Sequence, residues 1–230
     1  MKLKRRKSKP KSTPKGVIIL IGILFTTYFV FHYVNKEDFS SQLPEGIKIN
    51  LKDKLILERT EKNYGKEIDS VANLLDINPY YLKALITLEC SGRKDFKPRF
   101  EKHVFRHLQN VRDGKERNYG SIKKRTINGS SDAALKNLAT SWGPFQLMGY
   151  QCIEMKLNVY NIRGDQAIYW GAVWMKKRYG KYLKKGNFDD CFHIHNTGQP
   201  YPKNGKPRTH DPKYVDRGLN YVKFFKNRDL

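Results

Sequence analysis

The chain has 230 residues and a formal net charge of +23, with 45 Lys and Arg against 22 Asp and Glu. That length leaves room for one compact domain of about 150 to 190 residues and an appendage. Its three cysteines, Cys90, Cys152 and Cys191, are too few and too scattered for a disulfide scaffold or a zinc ribbon.

Eight of the positive charges fall in the first fifteen residues, which hold no acid, leaving +15 for the rest. So basic a remainder favours an anionic partner, whether nucleic acid, a phospholipid surface or a cell-wall polymer, and charge alone does not choose among them. For the cysteines two readings stay open: one disulfide with a thiol left over, or three inert buried thiols.

Residues 1–15 read as a basic cytoplasmic tail. Residues 16–34 follow without a single charge and are mostly Ile, Leu, Val, Phe and Tyr. At 1.5 Å per residue such a helix is roughly 28 Å long, enough to cross the hydrocarbon core of a bilayer. Tyr28, Phe31, His32 and Tyr33 suit an interfacial aromatic belt, and the preceding Lys and Arg residues keep the N-terminus inside. The first Ala of the chain is Ala72, and no Cys lies near this segment, so neither signal cleavage nor lipid attachment is indicated. The expectation is an uncleaved single-pass anchor in the cytoplasmic membrane with an extracytoplasmic domain. Nucleic acid then drops out as a physiological partner.

Residues 35–54 read as a linker and residues 55–230 as the folded domain. Ile68, Val71, Ala72 and Leu75 recur at helical spacing up to about Asp76. The next stretch, Asn78 to Gly92, begins Asn-Pro, a capping residue followed by a residue suited to the first helical position, and ends in Gly. Leu82, Leu85, Ile86 and Glu89 share one face of this helix, which places a carboxylate on the apolar stripe. A desolvated carboxyl there has a raised pKa and can carry a proton near neutral pH, as a general acid must. The competing reading pairs Glu89 with a Lys or Arg.

Beyond it, Phe100, Val104, Phe105 and Leu108 predict a short helix over 101–109. Residues 110–131 are Gly-, Lys-, Arg- and Asn-rich and read as loop, and 132–138 as another short helix. Residues 165–182 are apolar nearly all round, the pattern of a buried central helix. His193 and His195 alternate, which on a strand would put both on one face. Residues 214–225 close the chain as a helix with Val215, Leu219, Val222 and Phe225 on one side. Neither an internal repeat nor a convincing hairpin is visible. The domain is expected to be mainly α.

Four segments in order carry a resemblance. They are Leu88-Glu89-Cys90-Ser91-Gly92, Ser141-Trp142-Gly143-Pro144-Phe145-Gln146-Leu147-Met148-Gly149, His195-Asn196-Thr197-Gly198, and Tyr214-Val215-Asp216-Arg217. Together they resemble the lysozyme-like superfamily, specifically the soluble-type lytic transglycosylases and the phage-type N-acetylmuramidases, over about residues 64–225. The first is similar to the family's Glu-Ser-Gly, with Cys90 inserted. The second is similar to its Gly-Leu-Met-Gln or Ser-Trp-Gly run. In the third, His195 stands where the family has Tyr. A fifth stretch, Phe100-Glu101-Lys102-His103, is similar to the muramidases' Phe-Glu-Arg-His.

The resemblance implies a lysozyme-like helical domain that cleaves the β-1,4 bond between N-acetylmuramic acid and N-acetylglucosamine, with Glu89 as general acid and base. It implies Glu101 as the second carboxylate if water is the nucleophile, with Asp132 a weaker choice. For Glu101 a surface ion pair competes evenly. Ser141, Gly143, Gln146, Met148, His195, Asn196 and Tyr214 are implied at the substrate, with packing an equal alternative for Tyr214. No metal or cofactor is expected, since neither His-Glu-x-x-His nor paired-Cys spacing occurs. Expected partners are peptidoglycan strands, the membrane through residues 16–34, and an assembly of wall growth, secretion or conjugation. The alternative function is a non-catalytic peptidoglycan-binding or scaffold protein on the same fold.

Overall fold

A computed structural model of the chain describes residues 49–228. The expected tail, the anchor over 16–34 and most of the 35–54 linker lie outside the described residues. Within them, no helix is long and apolar enough to cross a membrane.

The first helix, α1 (Leu51–Leu75), starts four residues before the predicted domain boundary at residue 55. Asn50 caps it, its side-chain oxygen accepting from the Asp53 amide at 2.9 Å. Asp53 in turn accepts a hydrogen bond from the Tyr221 hydroxyl at 2.9 Å, so the first turn is tied to the last helix. Lys52, Asp53 and Lys54 interrupt the apolar pattern, which is why the linker reading ran too far.

Helix α2 (Pro79–Cys90) is the centre of the fold. The Asn78 side chain accepts from the Tyr81 amide at 3.1 Å, and Pro79 opens the first turn. Tyr81, Leu82, Ala84, Leu85 and Ile86 are fully buried. Ser91, at φ 54°, ends the helix in the left-handed region, with its amide donating to Thr87. On the α1 side, the nearly buried Lys83 bridges Glu61 at 3.1 Å and Asp69 at 3.0 Å. Burial alone would lower its pKa, but the hydrogen bonds to Asp69 and Glu61 outweigh that and raise it.

Around α2 pack α1 and three later helices, whose apolar residues form the main core. They are numbered below as α8, α9 and α10. A smaller second core gathers Val104, Leu108, Val111, Ile122, Ile127, Leu135 and Ala139. It holds α3 (Lys102–Arg112), a two-stranded hairpin of β2 (Asn118–Tyr119) and β3 (Ile122–Lys123), α4 (Lys124–Ile127) and α5 (Asp132–Leu138). The hairpin and α4 correct the loop assigned to residues 110–131. Strands of two residues leave no alternation to detect, so only Ile122 and Ile127, both buried, betray the ordered structure.

A three-stranded antiparallel sheet runs β1 (Arg99–Phe100), β4 (Thr140–Trp142), β5 (Leu147–Met148). Its register pairs Arg99 with Ser141 and Ser141 with Met148. Two short helices, α6 (Gln151–Met155) and α7 (Val159–Arg163), lead into α8 (Ala167–Lys185). Helix α8 is broken by non-helical angles at Tyr179. Residues 188–197 are helical too, as α9 (Phe188–Thr197), so the strand considered for His193 and His195 does not form. Two residues apart on a helix, the two rings point about 200° apart. His193 bonds Gln199 and the Arg208 amide, whereas His195 bonds Phe145. Helix α10 (Tyr214–Arg228) completes a fold that is mainly helical, as expected.

Candidate active site

Beside the exposed end of α2 lies a groove of about 670 Å³. That volume is in the range of sites for molecules of several rings. Leu88 and Glu89 of α2, His195 and Asn196 of α9, and Tyr214 of α10 line it together with Lys97, Arg99, Ser141, Gln146 and Met148.

Helix α2 buries its first turns in the core and delivers Glu89 at its last turn, where the side chain is 17% exposed. Burial raises its pKa to about 7, against the opposing effects of a hydrogen bond from Tyr214 and the charge of Arg99. The carboxyl is therefore part protonated at neutral pH. The sequence reading that paired Glu89 with a Lys or Arg is not what the side chains do: Glu89 makes no ion pair with either among the described residues. Its close partner is the buried Tyr214, whose hydroxyl donates to Oε1. Oε2 has no hydrogen-bond partner there, which leaves one oxygen to carry and exchange a proton. The packing-only alternative for Tyr214 gives way to a direct contact with the acid.

His195 is placed differently from what the resemblance implies. It borders the groove, but its side chain is only 5% exposed and both ring nitrogens are occupied. Nε2 lies 3.0 Å from the Phe145 carbonyl, to which it donates, and 4.0 Å from Glu89 Oε1. Nδ1 accepts from the Tyr179 hydroxyl at 3.2 Å, and that hydroxyl lies 2.9 Å from the hydroxyl of Tyr81. Burial lowers the imidazole pKa to about 4, so the ring is neutral at pH 7 and this single tautomer satisfies both bonds. His195 is thus a strut behind the groove wall, with no nitrogen left for a sugar. Changing His195→Phe would leave the Phe145 carbonyl without its donor and the Tyr179 hydroxyl with Tyr81 alone, an expected cost of about 1–3 kcal/mol in thermal or denaturant unfolding. Because the folded pKa is depressed, the contribution of the wild-type ring is present above pH 6.5 and lost as pH falls toward 4. The variant should lose that part of the acid sensitivity.

Phe145 anchors the connection between β4 and β5. Its ring lies against Gly171 of α8, where a Cβ would stand 2.4 Å from it. Next to it Gln146, at φ 49°, turns its amide back: Nε2 donates to Gly143 O at 3.0 Å, and Oε1 accepts from Ser141 Oγ at 2.9 Å. Ser141 and Gln146 therefore form one polar patch on the groove wall, fixed by the sheet. Met148 lies beside it, and Asn196 is exposed at the rim. Gly143 does not reach the groove. Its place is in the turn that sets Gln146.

The two carboxylates weighed as water-positioning groups are both elsewhere. Glu101 precedes α3 and pairs with Arg99 Nε at 2.7 Å, with His103 Nδ1 at 3.6 Å, and does not line the groove. Asp132 is exposed and accepts from Gln109 at 3.1 Å and Arg112 at 2.5 Å, outside the groove. These corrections have one cause: a sequence rich in Lys and Arg offers each exposed acid a nearby cation. Sequence reasoning missed Arg99, Lys97, Gln151 and Asp211, all of which line the groove. Only the position of Lys97 and Arg99, shortly after α2, could have flagged those two. Asp211 is itself engaged, accepting from the Lys213 amide at 2.9 Å and from Arg217.

All three cysteines are buried free thiols, which decides between the two readings left open. Burial pushes Cys90 and Cys152 up to about 11 and Cys191 higher still, so none presents a thiolate. No protein-family model, curated protein or solved structure matches this chain.

Proposed function

We propose that the chain is a peptidoglycan glycosidase of the lysozyme-like kind, cleaving the β-1,4 bond after N-acetylmuramic acid with Glu89 as both acid and base. The observation that carries this reading is a carboxyl with a pKa of about 7 at the end of a buried helix, open to a groove and held by one tyrosine. A non-catalytic protein has no need to keep a carboxyl so poorly solvated, since the arrangement lowers stability at neutral pH.

Protonated Glu89 gives its hydrogen to the bridging oxygen, and the C1–O bond breaks as positive charge spreads over the sugar ring. The substrate's own N-acetyl oxygen can stabilise that charge. Glu89, now a carboxylate, takes the proton of the muramic acid 6-hydroxyl while its oxygen bonds to C1. A 1,6-anhydro sugar forms, no water is consumed, and Glu89 ends protonated again. Among the described residues, the groove presents no carboxylate beside Glu89 other than Asp211, which is occupied by Arg217 and the Lys213 amide. This favours the intramolecular route, that of a lytic transglycosylase, over hydrolysis. Mass spectrometry of products released from purified peptidoglycan tests it: the reading expects anhydro ends, lighter by one water, and full-mass reducing ends would replace it with hydrolysis.

Tyr214→Phe checks the support of the acid. The hydroxyl favours the charged carboxyl, so its loss moves the Glu89 pKa above about 7. The pH–rate profile should keep its acid form to higher pH, while kcat falls about tenfold for want of a charge-assisted bond. An unchanged profile would remove Tyr214 from the mechanism. On this proposal the glycan strands of the wall are the partner. Residues 16–34 anchor the enzyme in the membrane beneath that wall and confine its action to nearby strands.

A further inference from the structure

Arg99 and Lys97 form the cationic rim of the groove. Arg99 is mounted on β1, hydrogen-bonded through the strand to Ser141 on the groove wall. Its side chain is 78% exposed and is held at one end only: Nε meets Glu101 Oε1 at 2.7 Å. The Nη1 and Nη2 edge has no partner among the described residues. That edge has the spacing to take a carboxylate with two parallel hydrogen bonds. Glu101, whose other oxygen faces His103 at 3.6 Å, fixes the plane of the guanidinium and does not neutralise the open edge geometrically. Lys97, two residues earlier, is exposed and has no ion-pair partner among the described residues, so it adds a second positive charge at the same rim.

We infer that Arg99, positioned by Glu101 and assisted by Lys97, selects glycans that carry a carboxylate beside the bond to be cut, over neutral amino-sugar polymers. This rests on the glycosidase reading and deepens it. The carboxylate has two sources in peptidoglycan. It is the lactyl group of a muramic acid stripped of its peptide, or an acid on the peptide attached there.

The test compares three soluble glycans of equal length with the full chain: a neutral N-acetylglucosamine oligomer, a peptide-free muramyl glycan, and the same glycan bearing stem peptides. For Arg99→Gln, the ratio of kcat/KM on carboxylate-bearing to neutral glycan is expected to fall about tenfold or more, chiefly through KM. Arg99→Lys should recover only part of it, because an ammonium cannot bond in parallel. Glu101→Gln should give a smaller fall of the same ratio, with kcat on the neutral glycan following the change no further than KM does. A larger effect on the peptide-free glycan names the lactyl group, and on the other the stem. Equal losses on neutral and carboxylated glycans in Arg99→Gln, or none, overturn the inference. Direct binding by calorimetry keeps the two proposals apart. Arg99-dependent binding of the carboxylated glycan without any product would leave this recognition standing and remove the glycosidase.

Discussion

Replacing Glu89 by Gln is expected to lower kcat on purified peptidoglycan by about 10³-fold, the usual contribution of a positioned general acid. The amide fills the same space and can still accept from Tyr214, but it cannot give up a carboxyl proton or take one back. The same variant should be more stable than wild type. Because burial raises the folded pKa from 4.5 to about 7, the wild-type carboxyl is bound most favourably when neutral. Its contribution to stability is fully present below pH 4.5 and lost as pH rises through about 7. Glu89→Gln escapes that loss, so unfolding at pH 8 should need about 3 kcal/mol more, with little difference at pH 4. Opposite signs for activity and stability at one residue are the signature of a strained functional group. A variant that clears the wall as well as wild type would end the assignment of the acid.

Gly143→Ala is expected to be the most damaging small change. Gly143 sits at φ 72°, and a Cβ there would lie 2.0 Å from the backbone carbonyl of Ile162 in α7. The left-handed angle costs about 1–2 kcal/mol for a residue with a Cβ. Backbone cannot swing aside like the tip of a side chain, so overpacking adds about 1–3 kcal/mol more. A loss of roughly 2–5 kcal/mol should appear in denaturant unfolding. Whatever protein remains folded should show weaker glycan binding, since Gln146 Nε2 donates to the Gly143 carbonyl and its Oε1 organises Ser141. Gly143 was picked from the sequence as a substrate contact, and its effect is instead exerted through the turn.

Particular residues show how far the sequence could be read. Asn78, Pro79, the apolar stripe of α2 and Glu89 were all legible, because helix capping and a 3.6-residue period are local properties of the chain. So were α5, at its own boundaries, and α10, from its first residue. What failed is short or non-local. The β1–β4 pairing joins residues about forty positions apart, and the hairpins β2–β3 and β4–β5, though local, have strands of two or three residues that carry no periodic signal. Glu101 matched a motif yet turned toward Arg99, a choice of partner that only three-dimensional placement makes. His195 stood at the right position in the chain, but its hydrogen bonds to Phe145 and Tyr179 join three segments that no spacing rule connects. Nor does any local pattern reveal that Lys83, a residue type usually exposed, is buried between two acids of α1.

The line of hydroxyls and imidazole from Tyr81 through Tyr179 and His195 to the Phe145 carbonyl braces one part of the groove lining more firmly than the rest. Behind residues 145–146 each member of that line is hydrogen-bonded inside the core, so displacing them means breaking several desolvated bonds at once. The 97–99 side, exposed and held by a single strand pairing and one surface ion pair, resists far less. Strain applied to the groove lining is therefore expected to be taken up at residues 97–99 before it reaches residues 145–146.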